Sequence, residues 1–447
     1  MDLSALDLSR IQFAFVVTFH IIFPSFTIGL AAWLAVLEWR HQATGNPVYR
    51  TLFDFWVKIF AVSFGMGVVS GIVMAFQFGT NWSVLSEKTG PIQGPLLGYE
   101  SFTAFILEAS FLGVVLFGRK RVSPTMFLTS CILVALGTTL SSFWILANNS
   151  WMQVPVGHAI DATGRIVPTD WREIIGGHVF LTRWLHMLLA AYLTTATVVS
   201  ATGAWYLLKE IHQTTAKAML VWGMGLMAVF TPIQMGLGHL AGEIIRDYQP
   251  AKFAAVEGRW DSGTRAPLVV VAWPDNLAQK NRFEISIPVL GSMVDSGNPD
   301  SYQRGIKDIP ADERAPFLVP FYGFRLMVGL SLLMLFIGWY GSWRNHRHSI
   351  ERSRWFLRLT AISFPIGWIA VMAGWYTAEV GRQPWVVTGL LRTSDAVTPS
   401  LTFNHALTSL LLYVFVYLLV YSFGIRYLWN LFKQGPSDVA LNGKEVL

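Results

Sequence analysis

Cysteine is nearly absent from this chain: Cys131 is the one cysteine in 447 residues. A single thiol excludes an intramolecular disulfide framework and any cysteine-rich iron–sulfur or zinc site. Charge is scarce as well. Asp, Glu, Lys and Arg make up 13% of the chain, about half the share of a typical soluble domain. No two histidines are adjacent, which speaks against a histidine cluster around copper. Clear internal repeats, and the inverted halves of many transporters, are also missing.

What is present is apolar. Hydrophobic residues make up 53% and aromatics 14%, with 19 Trp and 31 Phe. The mean hydropathy is +0.46. These values predict an integral membrane protein, in which aromatics anchor interfaces and wrap large flat cofactors. The formal charge of +6 sits in short basic clusters between apolar runs. That distribution points to the membrane surface and not to nucleic acid. The first apolar run is long enough to span and has an acidic leading segment, so no cleavable signal peptide is expected.

A bilayer core needs roughly 20 apolar residues per helix. Nine runs qualify, near 12–37, 52–78, 98–118, 124–146, 178–207, 218–240, 320–342, 355–377 and 402–430. The expected fold class is therefore all-α, a polytopic membrane helical bundle. Three regions follow: helices one to six in 1–240, a polar connection at 241–319, and helices seven to nine with a tail in 320–447. Alternate connections are basic: Arg40 and Arg50; Arg119, Lys120 and Arg121; Lys209 and Lys217; Arg344, Arg347, Arg352 and Arg354; then Arg426, Lys433 and Lys444. These predict the cytoplasmic side, with the N-terminus (Asp2, Asp7, Arg10) outside and the C-terminus inside. The 241–319 connection is too long for a simple link, and 267–273 reads as extended. A substrate-facing outer loop is favoured there over a floppy tether.

Ionisable groups at membrane depth are costly and need a reason. His20 lies in the first run, with Pro24 four residues on, where a kink is expected. Glu100 and Glu108 lie in the third run. As an α-helix, eight residues give about 12 Å of rise and roughly 80° of rotation, so both could face one side. A proton relay or a metal ligand outweighs structural hydrogen bonding for two buried acids. His186 lies in the fifth run, with Arg183 one turn before it and His178 a rival at the edge. Met327 opens the seventh, where core filling is the commoner role; Arg325 nearby could pair with a haem propionate. Glu379 is expected just after the eighth helix, in AEVGRQPW.

Together these strings resemble subunit I of the cytochrome bd-type ubiquinol oxidases, over about residues 8–430. The carriers are GRQPW at 381–385 with Glu379 and Trp375, SRIQFAF at 9–15 with His20, the Glu100/Glu108 pair, WMQVPVG at 151–157, FRLMVG at 324–329 and QPAKFAAVEGRW at 249–260. The resemblance implies that His186 and Met327 are the axial pair of a low-spin haem b. His20 and Glu379 would be ligands of two high-spin haems, a haem b and a haem d, with the pairing open. Glu100 would ligate or gate the oxygen-binding iron, and Trp375 would bridge haems. Arg10, Arg325 and Arg382 would meet propionates. Lys252 and Glu257 would belong to the quinol site, and Glu108, Ser141 and Asn149 to a proton path from the cytoplasm. The loop is of the short type, like the branch with cyanide-insensitive oxidases, in which a further haem b can replace haem d.

The implied activity is a bacterial inner-membrane quinol oxidase that reduces dioxygen to water without proton pumping. A second large membrane subunit and a one-helix subunit would accompany it. A proton-coupled secondary transporter is the alternative, and would bind no haem. A bc-type cytochrome b would need paired histidines about four turns apart on two helices, which the sequence lacks.

Overall fold

The computed structural model describes residues 3–437; Asp2 and Lys444 lie outside the described residues. A capping box between Ser4 and Asp7 starts α1 (Ala5–Ile22). Pro24 has no N–H for the His20 carbonyl, and the Phe23 N–H takes that carbonyl at 3.1 Å. The helix breaks there and resumes as α2 (Pro24–Thr44), the two forming one span of 40 residues. At α3 (Pro47–Thr80), Asn46 Oδ1 accepts from the Val48 N–H at 3.0 Å, with Pro47 in the first turn.

The third span differs from expectation. Residues 83–97, read as a connection, are helical. α4 (Ser83–Tyr99) leads through a π-helical turn (Glu100–Phe105) into α5 (Ile106–Phe117). Glu87, Lys88, Pro91 and Pro95 gave the segment a loop-like composition. Leu85, Ile92 and Leu96 pack in one cluster with Trp82, Trp151 and Val387, and that burial keeps it helical. The π turn also voids the α-helical offset assumed between Glu100 and Glu108.

Ser123 caps α6 (Pro124–Gln153). A small hairpin of β1 (His158–Ile160) and β2 (Ile166–Pro168) and the short α7 (Trp171–Gly176) lead to α8 (Phe180–Leu208). α9 (Gln213–Tyr248) has 36 residues, roughly 54 Å of helix against a hydrocarbon core of about 30 Å. It therefore carries the chain beyond the lipid, and the polar connection begins at Gln249 instead of 241. That connection holds α10 (Pro250–Glu257), an antiparallel hairpin of β3 (Leu268–Asp275) and β4 (Lys280–Ile287), and α11 (Leu290–Ser296). It is packed and is not a tether. Trp260 stacks on Phe317 at 4.0 Å, in a cluster with Ala254, Val269, Ile306 and Phe321. Gly258 turns the chain at φ +77°, and a Cβ there would lie 2.6 Å from the Phe321 ring.

α12 (Leu318–His346) follows. The expected 355–377 span is α13 (Arg354–Ile362) and α14 (Ile366–Val380), bent by 41° at a break ending in Pro365. The GRQPW segment then enters β5 (Trp385–Val387), paired with β6 (Leu391–Arg392), before α15 (Phe403–Gln434). Among the described residues, eight helices are long and apolar enough to cross a bilayer, and the bent pair makes a ninth. The expected all-α bundle is the observed fold. Its largest core joins α2, α3, α6 and α8 through Leu34, Trp56, Phe127 and Val198.

Candidate functional site

His20 stands on α1 against α3. Ser70 Oγ–H donates to the Gly67 carbonyl at 2.9 Å and sits 3.0 Å from His20 Nδ1. A neutral imidazole that carries its proton on Nδ1 would donate to Ser70 and leave the Nε2 lone pair free. Gly71 gives the ring its room: a Cβ there would lie 3.1 Å from His20 Cε1.

His186 stands on α8 and Met327 on α12, and both helices pack on α9 and on α14. A Cβ at Gly238 of α9 would lie 3.3 Å from His186 Cε1, and one at Gly374 of α14 would lie 2.9 Å from the Met327 sulfur. His186 Nδ1 is buried and has no partner among the described residues. Trp375 of α14 packs with Val17 and Ile21 of α1 and Met187 of α8, between the helices of the two histidines.

Glu379 lies in the last turn of α14, not after it. Its Oε1 accepts from Asn149 at 3.0 Å and Gln153 at 3.1 Å, and its Oε2 from Arg382. Arg183 donates to Asn149 Oδ1 at 2.6 Å and to Ser150 Oγ at 3.0 Å. Lys252 reaches in from α10 to Gln153 and, at 2.8 Å, to Gln249. Its stem crosses Gly381, where a Cβ would lie 2.7 Å from Lys252 Cγ. Burial, with Arg183 beside it, pushes the Lys252 ammonium well below the usual lysine range, against the pull of Glu379. One guanidinium thus pairs with the carboxylate directly and the other reaches it through Asn149, and Arg382 Nε and Nη1 are buried without a partner among the described residues. Such a cluster fits an added anion with several acceptor oxygens, as a haem propionate has.

Arg183 and Gln153 received no role from the sequence. An arginine inside an apolar run is itself a signal, because burying it demands partners. About two turns earlier on α6, Ser141 donates to Glu100 Oε1 at 2.8 Å. Glu108 is buried. The expected proton-path residues are thus split: Ser141 pairs with Glu100, and Asn149 with Glu379.

Two expected propionate partners are placed differently. Arg10 is exposed on α1. Arg325 Nη1 and Nη2 donate to the carbonyls of Val256, Phe321, Glu257 and Val269. Three of these bonds tie α10 and β3 to α12, the fourth stays within α12 at Phe321, and only Nε is left. Nor do Lys252 and Glu257 share one hydrogen-bonded cluster. Five residues apart on a helix, they point about 140° from each other. Glu257 is buried near Asp295 of α11, which pairs with Arg259 at 2.8 Å. Burial first, then the Asp295 charge, raise its carboxyl to about 7, against the pull of Arg259 and Arg325.

No group of three or more His, Cys, Asp or Glu that could hold a bare metal ion occurs among the described residues. Haem iron needs only one or two protein ligands, and the Ser70 contact of His20, the clearances beside His186 and Met327 and the open N–H groups of Arg382 fit that cofactor. The fold defines a polytopic membrane protein, and its buried polar clusters suit an anionic, iron-bearing group. The chain belongs to the family described as cytochrome bd terminal oxidase subunit I, whose profile matches residues 8–436. It is 31% identical to the cytochrome bd-II ubiquinol oxidase subunit 1 of Escherichia coli K12, covering 97% of each chain. It is 35% identical to the cytochrome bd ubiquinol oxidase subunit 1 of Bacillus subtilis 168, over 94% of this chain and 91% of that one. The bd oxidase structure from Geobacillus thermodenitrificans superposes with a TM-score of 0.90 at 29% identity, over 97% of this chain and 99% of the other. The chain is a multi-pass bacterial inner-membrane protein and the subunit I of a quinol:oxygen oxidoreductase, not a secondary transporter.

Proposed function

We propose that this subunit oxidises ubiquinol at the outer face and reduces dioxygen to water with protons drawn from the cytoplasm, without pumping. The N-terminus is then outside. The observation that carries this reading is the buried cluster of Glu379, Arg382, Arg183 and Lys252, which joins the outer loop to the GRQPW corner in one hydrogen-bonded unit. Bound haems, low-spin b, high-spin b and d, supply one-electron transfer between quinol and dioxygen. His186 and Met327 would hold the low-spin haem, and His20 and Glu379 the high-spin pair. Arg382 and Arg183 would neutralise propionates. The family implies a quinol, dioxygen and a partner subunit; we assign ubiquinol, a second large membrane subunit and a one-helix subunit.

The chain's own residues handle protons. Glu257, in the loop, accepts a quinol proton only when ionised. Quinol oxidation is therefore expected to rise as the pH passes through about 7, with Asp295, Arg259 and Arg325 setting that value. Glu257→Gln should abolish this limb of the kcat/KM profile; an unchanged profile would remove Glu257 from the step. For uptake, Ser141 and Asn149 lie eight residues apart on α6, about 12 Å. They link Glu100 and Glu379 respectively, with Glu108 as the buried entry group.

The deciding test is a reduced-minus-oxidised optical spectrum of the purified complex, with extraction and chromatography of its haems. Three haems including a chlorin are expected. Three b-type haems would place the protein in the branch without haem d. A complex without haem would overturn the reading.

A further inference from the structure

The β3–β4 hairpin presents large apolar side chains that nothing in the subunit covers. Leu277 at its tip is 100% exposed, Phe283 88% and Trp273 64%. The hairpin is a separate two-stranded sheet. Its β3 side is fastened to α12: Tyr322 Oη–H donates to the Ala272 carbonyl at 3.2 Å, and Arg325 takes the Val269 carbonyl at 2.6 Å. The β4 side faces outward.

The level of this hairpin relative to the bilayer follows from α12. The helix has 29 residues, roughly 44 Å, some 14 Å more than the hydrocarbon core. Arg344 is the first charged residue at its C-terminal end, so the lipid boundary there falls near Trp343. About 20 residues back along the helix, the other boundary falls near Gly323. The first turns of α12, Leu318 to Tyr322, therefore stand at the opposite interface, where Trp and Tyr belong. The hairpin packs beside those turns, with the Trp273 and Tyr322 rings 6.5 Å apart. Leu318 and Phe283 line one groove of about 490 Å³ with Trp273 and Leu277. Leu318, Tyr322 and Leu326 are themselves exposed, so apolar side chains of α12 continue onto the hairpin, with the paired Asp275 and Arg282 and with Asn276 beside them in the groove.

We propose that the hairpin is a membrane anchor: its tip and the β4 face insert into the headgroup–acyl boundary of the adjoining leaflet. The occupant of the exposed face is phospholipid. Apolar insertion drives it more than charge, because Arg282 is already paired with Asp275 at 2.5 Å and Glu284 opposes Lys280 in the net balance of β4. The exposed Trp273 and Tyr322 rings suit that depth. The anchor fixes the loop that carries Glu257 at the level where a lipid-dissolved quinol arrives. That consequence rests on the proposed quinol site; the anchor itself does not.

The test uses the whole oxidase complex in phosphatidylcholine nanodiscs. The chain's single native cysteine, Cys131, is buried, so Leu277→Cys and Phe283→Cys can each carry a nitroxide, with the unsubstituted complex as the labelling background. Power saturation then compares collisions with oxygen, which concentrates in lipid, and with a water-soluble nickel chelate. Oxygen collisions exceeding nickel collisions several-fold at both positions are expected. Nickel collisions exceeding those of oxygen would put the hairpin in water and overturn the anchor. Suppression of both would mean a protein partner covers the face, and would overturn it equally. The haem spectrum of each variant certifies assembly, and Ile285→Cys on the same exposed strand replaces either variant that fails to assemble. Loss of the Glu257 pH limb without change in nitroxide depth would separate the quinol site from the anchor.

Discussion

His186→Ala is expected to yield an assembled complex that lacks one haem and its low-spin optical band. Met327→Ala should do the same. Quinol oxidation should fall by more than about 100-fold, beyond the 10–100-fold typical of losing an outer-sphere partner. The expectation rests on geometry more than on ligand type. His186 and Met327 come from helices that share α9 and α14 as neighbours, and Gly238 and Gly374 stand where a side chain would collide with them. Gly238→Leu is the informative companion: it keeps both ligands but fills the space beside the imidazole. It should lower haem occupancy while the protein still assembles. Retention of the low-spin band in both alanine variants would overturn the axial assignment.

The second large effect is expected at Glu379. Its carboxylate is the negative partner of Arg382 and the nearest negative charge of the Arg183–Asn149 link. Its side chain is 21% exposed, and that of Arg382 8%. Removing one member of a buried pair costs about 3–5 kcal/mol, because the remaining charge is stranded. Glu379→Ala should therefore reduce both thermal stability and haem content. Glu379→Gln, which keeps the volume and hydrogen bonds to Asn149 and Gln153, should lose less stability. In the alanine background, Lys252→Met removes one buried cation, and part of the lost stability should return. Strictly additive losses in that double-mutant cycle would show that the cluster does not act as one electrostatic unit.

Several elements were legible in the sequence because their physics is local. Each of the nine apolar runs falls on one of the eight span-length helices or on the bent α13–α14 pair among the described residues, since a bilayer rewards apolar length whatever the packing. Pro24 marked the break between α1 and α2, because a missing N–H acts on its own helix. The extended stretch at 267–273 became β3. The third span begins earlier than its apolar run for the opposite reason. Glu87, Pro91 and Pro95 disfavour helix locally, and only packing on Trp82 and Trp151 overrides them. Residues 241–248 read as loop by composition although α9 continues through them, because a polar helix leaving the membrane has no hydropathy signature. Arg325 illustrates the same limit at the site. Its position at the membrane boundary suggested a propionate, but four backbone carbonyls of the loop and α12 claim its terminal N–H groups.

By itself, the sequence determined that this chain spans the membrane, roughly where each span lies, and which ligand-type side chains lie at depth. Hydropathy and residue chemistry are properties of single segments, so a linear reading captures them. Only the tertiary structure decided that Arg183, Lys252 and Gln153 converge on Glu379, that Ser70 stands against the His20 ring, and that Arg325 braces the loop. Those contacts join residues as many as 230 positions apart, and no local period or composition records which helix faces which.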